Sequence, residues 1–414
     1  MESVAYITTT FPTLAWFLEN EVHRLVRRGV RVRVLTLRPV GREYQPEHAP
    51  LAFLTRRIGN PLSPGAWAAL AYWLIRRPQV LVPEAARMLW ASRRSLYALA
   101  GHLAYLPAAA EAALLLERED LQRVHGAWAH FPGSVAYLAS RLTGRPLSLA
   151  GHAGGDLYRT QAFLAEKVRA AEFVTACVRS NAEMLQILGG PRARVEWIYH
   201  GVDLERFDGQ GRRRDPEPLL LTVGRLAPTK GFGDAVRALS ILGRRARAPR
   251  LVLVGDGPER GRLEALAREL GVEARVWFAG SITREELLPF YRRAWLLVAP
   301  SVELKNGRRD GIPNVVTEAM AMGLPCVGTR AAGLEEAIVP GETGALCDPG
   351  DPESLADALE RLLAHPEELD AMGSRARARV AQRFDTAPSF ERLLSLFNQD
   401  GPGAGEPEVR AEAG

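Results

Sequence analysis

Cysteine and lysine are both scarce in this 414-residue chain. Its three cysteines, Cys177, Cys326 and Cys347, are odd in number and far apart, so neither a disulfide framework nor a metal site is predicted. We therefore expect a reducing compartment, the cytoplasm. Lysines also number three, against 50 arginines, which draws attention to any lysine inside a motif.

Long apolar runs are missing as well. The best candidate for a membrane-spanning helix lies in a helical region at 50–118 and is interrupted by His102, Pro107 and Glu111, so no transmembrane segment is expected. The chain starts with a strand-like stretch at 4–7, and no signal peptide is expected before it. Gly-x-Gly-x-x-Gly does not follow that strand, which counts against a dinucleotide-dependent dehydrogenase.

Two runs of alternating apolar strands and amphipathic helices are present instead, so the predicted fold class is α/β with two parallel-sheet domains. The first domain is predicted at 1–207. A linker rich in glycine, proline and charge follows at 208–218, and the second domain is predicted at 219–384. A last helix is predicted at 385–398, and the tail at 399–414 is expected to be disordered.

Positive charge is concentrated in the first half of the chain. Residues 1–205 hold 24 basic and 17 acidic side chains, while the remainder holds 29 and 31. The helical region at 50–118 has eight basic residues against three acidic ones and is rich in tryptophan and tyrosine. It fits an anionic membrane surface, and equally a helical insertion that packs on its own sheet. Nucleic acid is not an expected partner, because no recognition motif for it is present.

Polar residues follow two predicted strands of the first domain. His130 follows a strand at 124–128, and His152 and Asp156 follow the next strand at 147–150. Open α/β sheets bind ligands at the carboxyl ends of their strands. These three residues are therefore candidate site residues.

Two cations follow the first strand of the second domain, at 219–223. Arg225 and Lys230 come after Gly224 and before a predicted helix, where a guanidinium and an ammonium can neutralise a diphosphate. Gly255 follows the next strand in Gly-Asp-Gly-Pro, which is a weaker phosphate signal.

Two carboxylates flank a predicted helix start farther along the chain. Asp310 lies just before the helix and Glu318 about one turn inside it. The helix N-terminus favours anions, whereas the carboxylates can accept hydrogen bonds from the hydroxyls of a sugar or a ribose. The candidate ligand-binding residues of this segment are Asp310, Gly311, Ile312, Pro313, Asn314 and Glu318.

This segment resembles the donor-site signature of the retaining glycosyltransferases of family 4, which have the GT-B fold. The signature is an acidic residue, Gly-x-Pro, a glutamate eight positions after the first acid, and Ala-Met-Ala-x-Gly-x-Pro; here it runs from Asp310 to Pro325. Asp310 stands where the family usually has a glutamate, one methylene longer. The segments GRLAPTKG and IYHGVDLERF resemble the same family, and FPTLAWFLENEV resembles its exopolysaccharide or colanic-acid branch.

The resemblance implies two Rossmann-like domains facing each other across a cleft, with the last helix crossing back to the first. It implies retaining transfer of a sugar from a UDP- or GDP-sugar to a sugar or lipid-linked sugar acceptor, without metal or cofactor. Arg225 and Lys230 then hold the diphosphate, Glu318 the ribose, and Asp310 and His152 the donor sugar. The remaining donor-binding residues are Gly224, Gly255, Gly311, Ile312, Pro313 and Asn314, and His130 and Asp156 lie on the acceptor side. The implied setting is synthesis of bacterial cell-surface polysaccharide or glycolipid at the inner face of the membrane.

Two other functions stay open at this point. Nucleotide-sugar 2-epimerases share the GT-B fold and interconvert donors without an acceptor. A non-catalytic nucleotide-sugar-binding protein of a membrane assembly is compatible with the aspartate at position 310.

Overall fold

Seven parallel strands form the first of two sheets in the computed structural model, which describes residues 1–13, 16–39, 46–245 and 249–399. They are β1 (Ser3–Thr8), β2 (Arg31–Thr36), β3 (Thr55–Arg57), β4 (Arg123–Gly126), β5 (Leu147–Gly151), β6 (Phe173–Ala176) and β7 (Val195–Trp197). Their order across the sheet is β3-β2-β1-β4-β5-β6-β7. The helices of this domain are α1 (Trp16–Arg27), α2 (Pro64–Arg76), α3 (Pro78–Ser92), α4 (Leu96–Arg118), α5 (Phe131–Thr143), α6 (Leu164–Ala170) and α7 (Arg179–Gly189).

The second sheet is also parallel and has the order β10-β9-β8-β11-β12-β13. Its strands are β8 (Leu219–Val223), β9 (Arg250–Val254), β10 (Val276–Gly280), β11 (Leu296–Ala299), β12 (Cys326–Thr329) and β13 (Gly344–Cys347). The helices that follow the linker are α8 (Phe232–Arg245), α9 (Arg260–Glu269), α10 (Arg284–Arg293), α11 (Asn314–Ala321), α12 (Leu334–Ala337), α13 (Pro352–Ala364), α14 (Glu368–Arg383) and α15 (Thr386–Asn398).

The topology places the candidate residues of each domain at the carboxyl ends of the strands of its sheet. Every residue of β1 and of β8 is buried, as expected for parallel strands covered by helices on both faces. The direction of winding reverses between β1 and β4 in the first sheet, and between β8 and β11 in the second. Crevices at such reversals, at the carboxyl ends of the strands, are where doubly wound sheets bind ligands. The predicted class of two parallel-sheet α/β domains is confirmed.

The helical region at 50–118 contains α2, α3 and α4, preceded by a 3-10 segment at Pro46–Leu54 and by the edge strand β3, which the sequence patterns did not predict. By length and composition, α4 could cross a membrane, contrary to the expectation from its interruptions. However, 56% of its apolar window is buried, and its alanines at 108–110, 112 and 113 belong to the first-domain core. Core packing therefore accounts for the apolar character of this helix.

The last helix, α15, packs on the first domain although it follows the second in sequence. Its Phe390, Leu393 and Phe397 are buried in one cluster with Val4 and Tyr6 of β1. This packing returns the end of the chain to the first sheet. Apart from residue 399, the tail predicted to be disordered lies outside the described residues.

Candidate active site in the interdomain cleft

The carboxyl ends of the two sheets face a cleft with about 2520 Å³ of open space. From the first domain, His130 and Asp156 line it, and from the second domain Gly224, Arg225 and Gly255 do so. The structure therefore gathers candidates from both halves of the sequence around one space. A cleft of this size can hold a nucleotide sugar together with part of an acceptor.

Asp156 braces the first-domain half of the cleft. It is 3% exposed, and its Oδ1 accepts hydrogen bonds from the His130 backbone N–H at 2.8 Å and from His130 Nδ1 at 2.7 Å. Its Oδ2 accepts from the His152 backbone N–H at 2.8 Å. Burial acts to raise the pKa of Asp156, but the hydrogen bond and charge of His130 outweigh it and hold that pKa below its usual value. One ionised carboxylate thus fixes the loops that follow β4 and β5.

His152 lies at the end of β5 in an aromatic enclosure. Its Nε2 is 3.0 Å from the Ala127 carbonyl oxygen, and its Nδ1 is 2.9 Å from Nε2 of His200. The rings of Phe17 and Trp128 lie 5.0 and 4.6 Å from its centroid. Burial lowers the pKa of His152, so the ring is neutral at pH 7. His200 was not singled out from the sequence; its place after β7, the second strand beyond β5 in the sheet, is the signal that could have found it.

Lys167 is a second residue that sequence reasoning missed. It is 2% exposed, and its Nζ donates to the carbonyl oxygens of Ala129 and His130 and, at 3.0 Å, to Oγ of Ser134. Burial lowers the pKa of Lys167 to about 7. The three hydrogen bonds direct its Nζ to the His130 loop and away from the cleft. Its rarity, as one of three lysines, was the available signal.

In the second domain, Lys230 and Asp310 meet at the carboxyl end of the sheet. Lys230 Nζ lies 3.1 Å from Asp310 Oδ2, and both side chains remain partly exposed. The Lys230 chain crosses over Gly224, where a Cβ would lie 3.4 Å from Lys230 Cε. Arg225 is exposed on the cleft wall. Gly255 has φ +128°, and a Cβ there would lie 2.1 Å from the Gly224 carbonyl oxygen, so this crossing of the two loops requires glycine.

Glu318 is buried to the same degree as Asp156. It is 3% exposed; its Oε1 accepts from Arg284 at 3.1 Å and its Oε2 from the Tyr291 hydroxyl at 2.8 Å. Both partners come from α10 and are themselves buried. Burial, with the neighbouring Glu318 charge, raises the pKa of Tyr291 well above its usual value. The contacts of Glu318 are thus a buried ion pair and a hydrogen bond, and its role toward a ribose stays a prediction.

The two halves of the site touch each other. The Gly154 N–H, in the loop after β5, donates to the Arg309 carbonyl at 2.7 Å. A Cβ on Gly311 would lie 3.3 Å from Cys177 Sγ, so the segment before α11 packs on the first domain. The Asn314 side chain hydrogen-bonds His200.

The other two donor-side candidates have structural contacts. Ile312 packs on the second-domain core, and Pro313 caps α11 in an extended conformation.

Comparison with known proteins agrees with this geometry. Residues 14–206 match the family model described as Glycosyltransferase Family 4, and residues 203–379 match the model described as Glycosyl transferases group 1. The α-D-kanosaminyltransferase of Streptomyces kanamyceticus is 30% identical over 315 residues, which are 69% of this chain and 79% of that protein. The amylovoran biosynthesis glycosyltransferase AmsK of Erwinia amylovora is 25% identical over 408 residues, 96% of this chain and 99% of that protein.

A solved structure shares the architecture across both domains. The Anabaena protein HepE, in complex with UDP-glucose, matches with a TM-score of 0.71 at 18% identity, covering 96% of this chain and 100% of that one. At this identity the likeness establishes the fold, with its two parallel sheets. Together with the two family matches, it identifies the chain as a glycosyltransferase with the GT-B fold that belongs to glycosyltransferase family 4.

Proposed function

We propose that this glycosyltransferase moves a sugar from a nucleotide-diphosphate sugar, UDP- or GDP-linked, to an acceptor hydroxyl with retention of configuration and without a required metal ion. The observation that carries the proposal is the position of two cationic side chains at the carboxyl end of the second sheet. Gly224 and Arg225 line the cleft there, and Lys230 lies over Gly224 and contacts Asp310, which precedes α11. Fixed cations at this position take over the charge neutralisation that a bound Mg²⁺ supplies in other phosphoryl sites.

The chemistry that these residues have to support is departure of a diphosphate and growth of positive charge on the sugar. Arg225 and Lys230 stabilise the leaving diphosphate, and Asp310 holds the Lys230 ammonium in place through their 3.1 Å contact. Because Asp310 is engaged with Lys230, we assign it to orienting the donor sugar and not to covalent attack. His152, whose backbone N–H is held by the cleft residue Asp156, is assigned to the donor sugar from the opposite domain. The hydrogen bond between Gly154 and Arg309 joins the two domains, and further closure would limit access of water.

The acceptor is assigned to the first-domain side of the cleft. His130 and Asp156 line the cleft opposite the cations and are assigned to the acceptor, a sugar or a lipid-linked sugar. Similarity to AmsK, named for amylovoran biosynthesis, over 96% of this chain supports a role in bacterial cell-surface polysaccharide or glycolipid synthesis.

The donor is tested by thermal shift against UDP, GDP and ADP and their common sugar conjugates. We expect saturable stabilisation by one base, of about 2.7 kcal/mol at a ligand concentration 100 times Kd. Incubation of the stabilising donor with and without candidate acceptors then separates transfer from 2-epimerisation, which proceeds without an acceptor. No stabilisation by any nucleotide would contradict the assignment of the donor half.

We also propose that the surface of the helical region at 50–118 binds the inner face of an anionic membrane. The enzyme then lies in the cytoplasm at that face. Of fifteen exposed large hydrophobic side chains in the described part of the chain, eleven lie between Phe53 and Leu103, a concentration that a solvated surface does not need. Arginines lie among them: Arg93 sits 4.0 Å over the Trp90 ring, and Arg94 is exposed beside it. Aromatic rings mixed with cations favour the lipid headgroup layer.

Vesicle flotation tests this surface. The wild-type chain should float with vesicles containing phosphatidylglycerol and much less with pure phosphatidylcholine, because each surface cation contributes about 1 kcal/mol on an anionic leaflet. The double substitution Arg93→Glu and Arg94→Glu should reduce flotation at least tenfold. Its matched control is Arg268→Glu with Arg361→Glu, which makes the same charge change on exposed helix positions of the second domain. Equal flotation of the two double variants would contradict the surface assignment.

A further inference from the structure

Three side chains of types that bind metal ions meet at the carboxyl edge of the first sheet. His152 follows β5, Cys177 follows β6 and His200 comes after β7, and these strands are neighbours in the parallel sheet. Their carboxyl ends therefore bring two imidazoles and a thiol to one point, where the ligand atoms all lie within 4.8 Å of one another. Ligands at the usual Zn–N and Zn–S distances around a tetrahedral zinc stand roughly 3.5 Å apart. A small rearrangement that widens the 2.9 Å gap between the two imidazole nitrogens therefore completes the set.

The two imidazoles are already oriented as metal ligands. The Ala127 carbonyl can only accept a hydrogen bond, so His152 Nε2 carries the proton and Nδ1 turns its lone pair toward His200. Donation of the second ring N–H to a carbonyl is the usual outer-shell contact of metal-binding histidines. His200 is held by stacking on Phe17, with ring planes 1° apart, and by the side chain of Asn314. Both rings are thus held with their facing nitrogens 2.9 Å apart, where His200 Nε2–H donates to His152 Nδ1, so a cation would replace the one proton between them.

Space for one more ligand adjoins the cluster. A cavity lined by His152, Cys177 and His200, and also by Asn20 and Glu21, opens beside the three ligand atoms. Three protein ligands with an open fourth position, filled by water, are the common arrangement of a non-structural zinc site. The mixture of thiol and imidazole favours thiophilic cations over Mg²⁺ or Ca²⁺, which prefer oxygen ligands.

We propose that His152 Nδ1, Cys177 Sγ and His200 Nε2 bind a thiophilic divalent cation of the zinc class, and that binding inhibits glycosyl transfer. On binding, His152 Nδ1, Cys177 Sγ and His200 Nε2 form bonds to the cation; the Cys177 thiol proton goes to solvent, and the His200 proton moves from Nε2 to Nδ1. The inhibitory part rests on the proposed function, because the cation binds His152, which is assigned to the donor sugar. It also immobilises His200, which contacts Asn314 of the second domain, and so opposes relative movement of the domains.

Cobalt is the probe, because it reports thiolate ligation through a charge-transfer band. The chain's three cysteines are all free, so the band has three possible sources and single substitutions separate them. We expect one Co²⁺ per chain with tetrahedral visible absorption, displaced by Zn²⁺. Cys177→Ala should abolish the charge-transfer band, and His200→Gln should weaken Co²⁺ binding at least tenfold. The matched controls Cys326→Ala and Cys347→Ala should keep the band.

The outcomes separate this site from the enzyme assignment. The titration uses the full chain without donor or acceptor, so it stands whether or not transfer is detected. A wild-type chain without the band, or a band that survives Cys177→Ala, overturns the site. If Cys177→Ala fails to fold, as judged by its melting curve without metal, His200→Gln decides, and unchanged affinity in that variant overturns the site. A band accompanied by undiminished transfer at saturating Zn²⁺ overturns the inhibitory role.

Discussion

Replacing Lys230 with alanine is expected to lower kcat/KM for sugar transfer by on the order of 10²–10³-fold, the typical effect of removing one fixed group that stabilises charge in a transition state. Lys230 is partly exposed at the donor end of the cleft, and its Nζ lies 3.1 Å from Asp310 Oδ2. Negative charge grows on the diphosphate as the sugar leaves. The loss should therefore fall mainly on kcat, measured as initial rates with the donor that thermal shift identifies.

Lys305→Ala is the matched control, because it makes the same chemical change five residues before Asp310 in the loop after β11, where Lys305 is exposed. We expect Lys305→Ala to keep wild-type rates. Lys230→Arg should recover part of the activity, since it restores the charge but not the compact ammonium. Rates for Lys230→Ala within threefold of wild type would exclude Lys230 from the transition state. So would equal losses for the two alanine variants.

The strands that carry the site could be predicted because of where they lie in the sheets. Strands covered by helices on both faces read as short, continuous apolar runs. The prediction at 219–223 accordingly matches β8 to the residue, and the strand-like stretch at 4–7 lies inside β1. The short edge strand β3, Thr-Arg-Arg, carries no such signal, since it is paired on one side and half exposed. Polar edge strands are therefore found only once the neighbouring strand is in place.

The partners of the candidate residues could not be predicted in the same way. Asp156 is buried beneath the loops that follow β4 and β5. Its hydrogen bond to His130 joins residues that are 26 positions apart in the sequence. The contact of His152 with His200 spans 48 residues. Motif spacing identifies residue types suited to a chemistry, but it does not show which of them face a ligand and which face each other.

Glu318 is the clearest case of a motif residue whose contacts in the structure are with other side chains of the protein. Replacing Glu318 with alanine removes the carboxylate to which buried Arg284 and Tyr291 donate, at 3.1 and 2.8 Å. Breaking a buried ion pair from one side typically costs about 3–5 kcal/mol, because the remaining charge stays buried. We expect the variant to melt roughly 10 °C below the wild type, as followed by circular dichroism.

Two further variants separate support of the fold from contact with the donor. Glu335→Ala, an exposed glutamate in α12 of the same domain, should melt with the wild type. Glu318→Gln keeps the shape and one acceptor oxygen, so it should be destabilised less than the alanine variant. If Glu318 also holds the ribose, the glutamine variant will bind the nucleotide more weakly at temperatures where it is fully folded. Unchanged nucleotide affinity would restrict Glu318 to anchoring α10 against α11, and an unchanged melting temperature for Glu318→Ala would contradict the ion-pair argument itself.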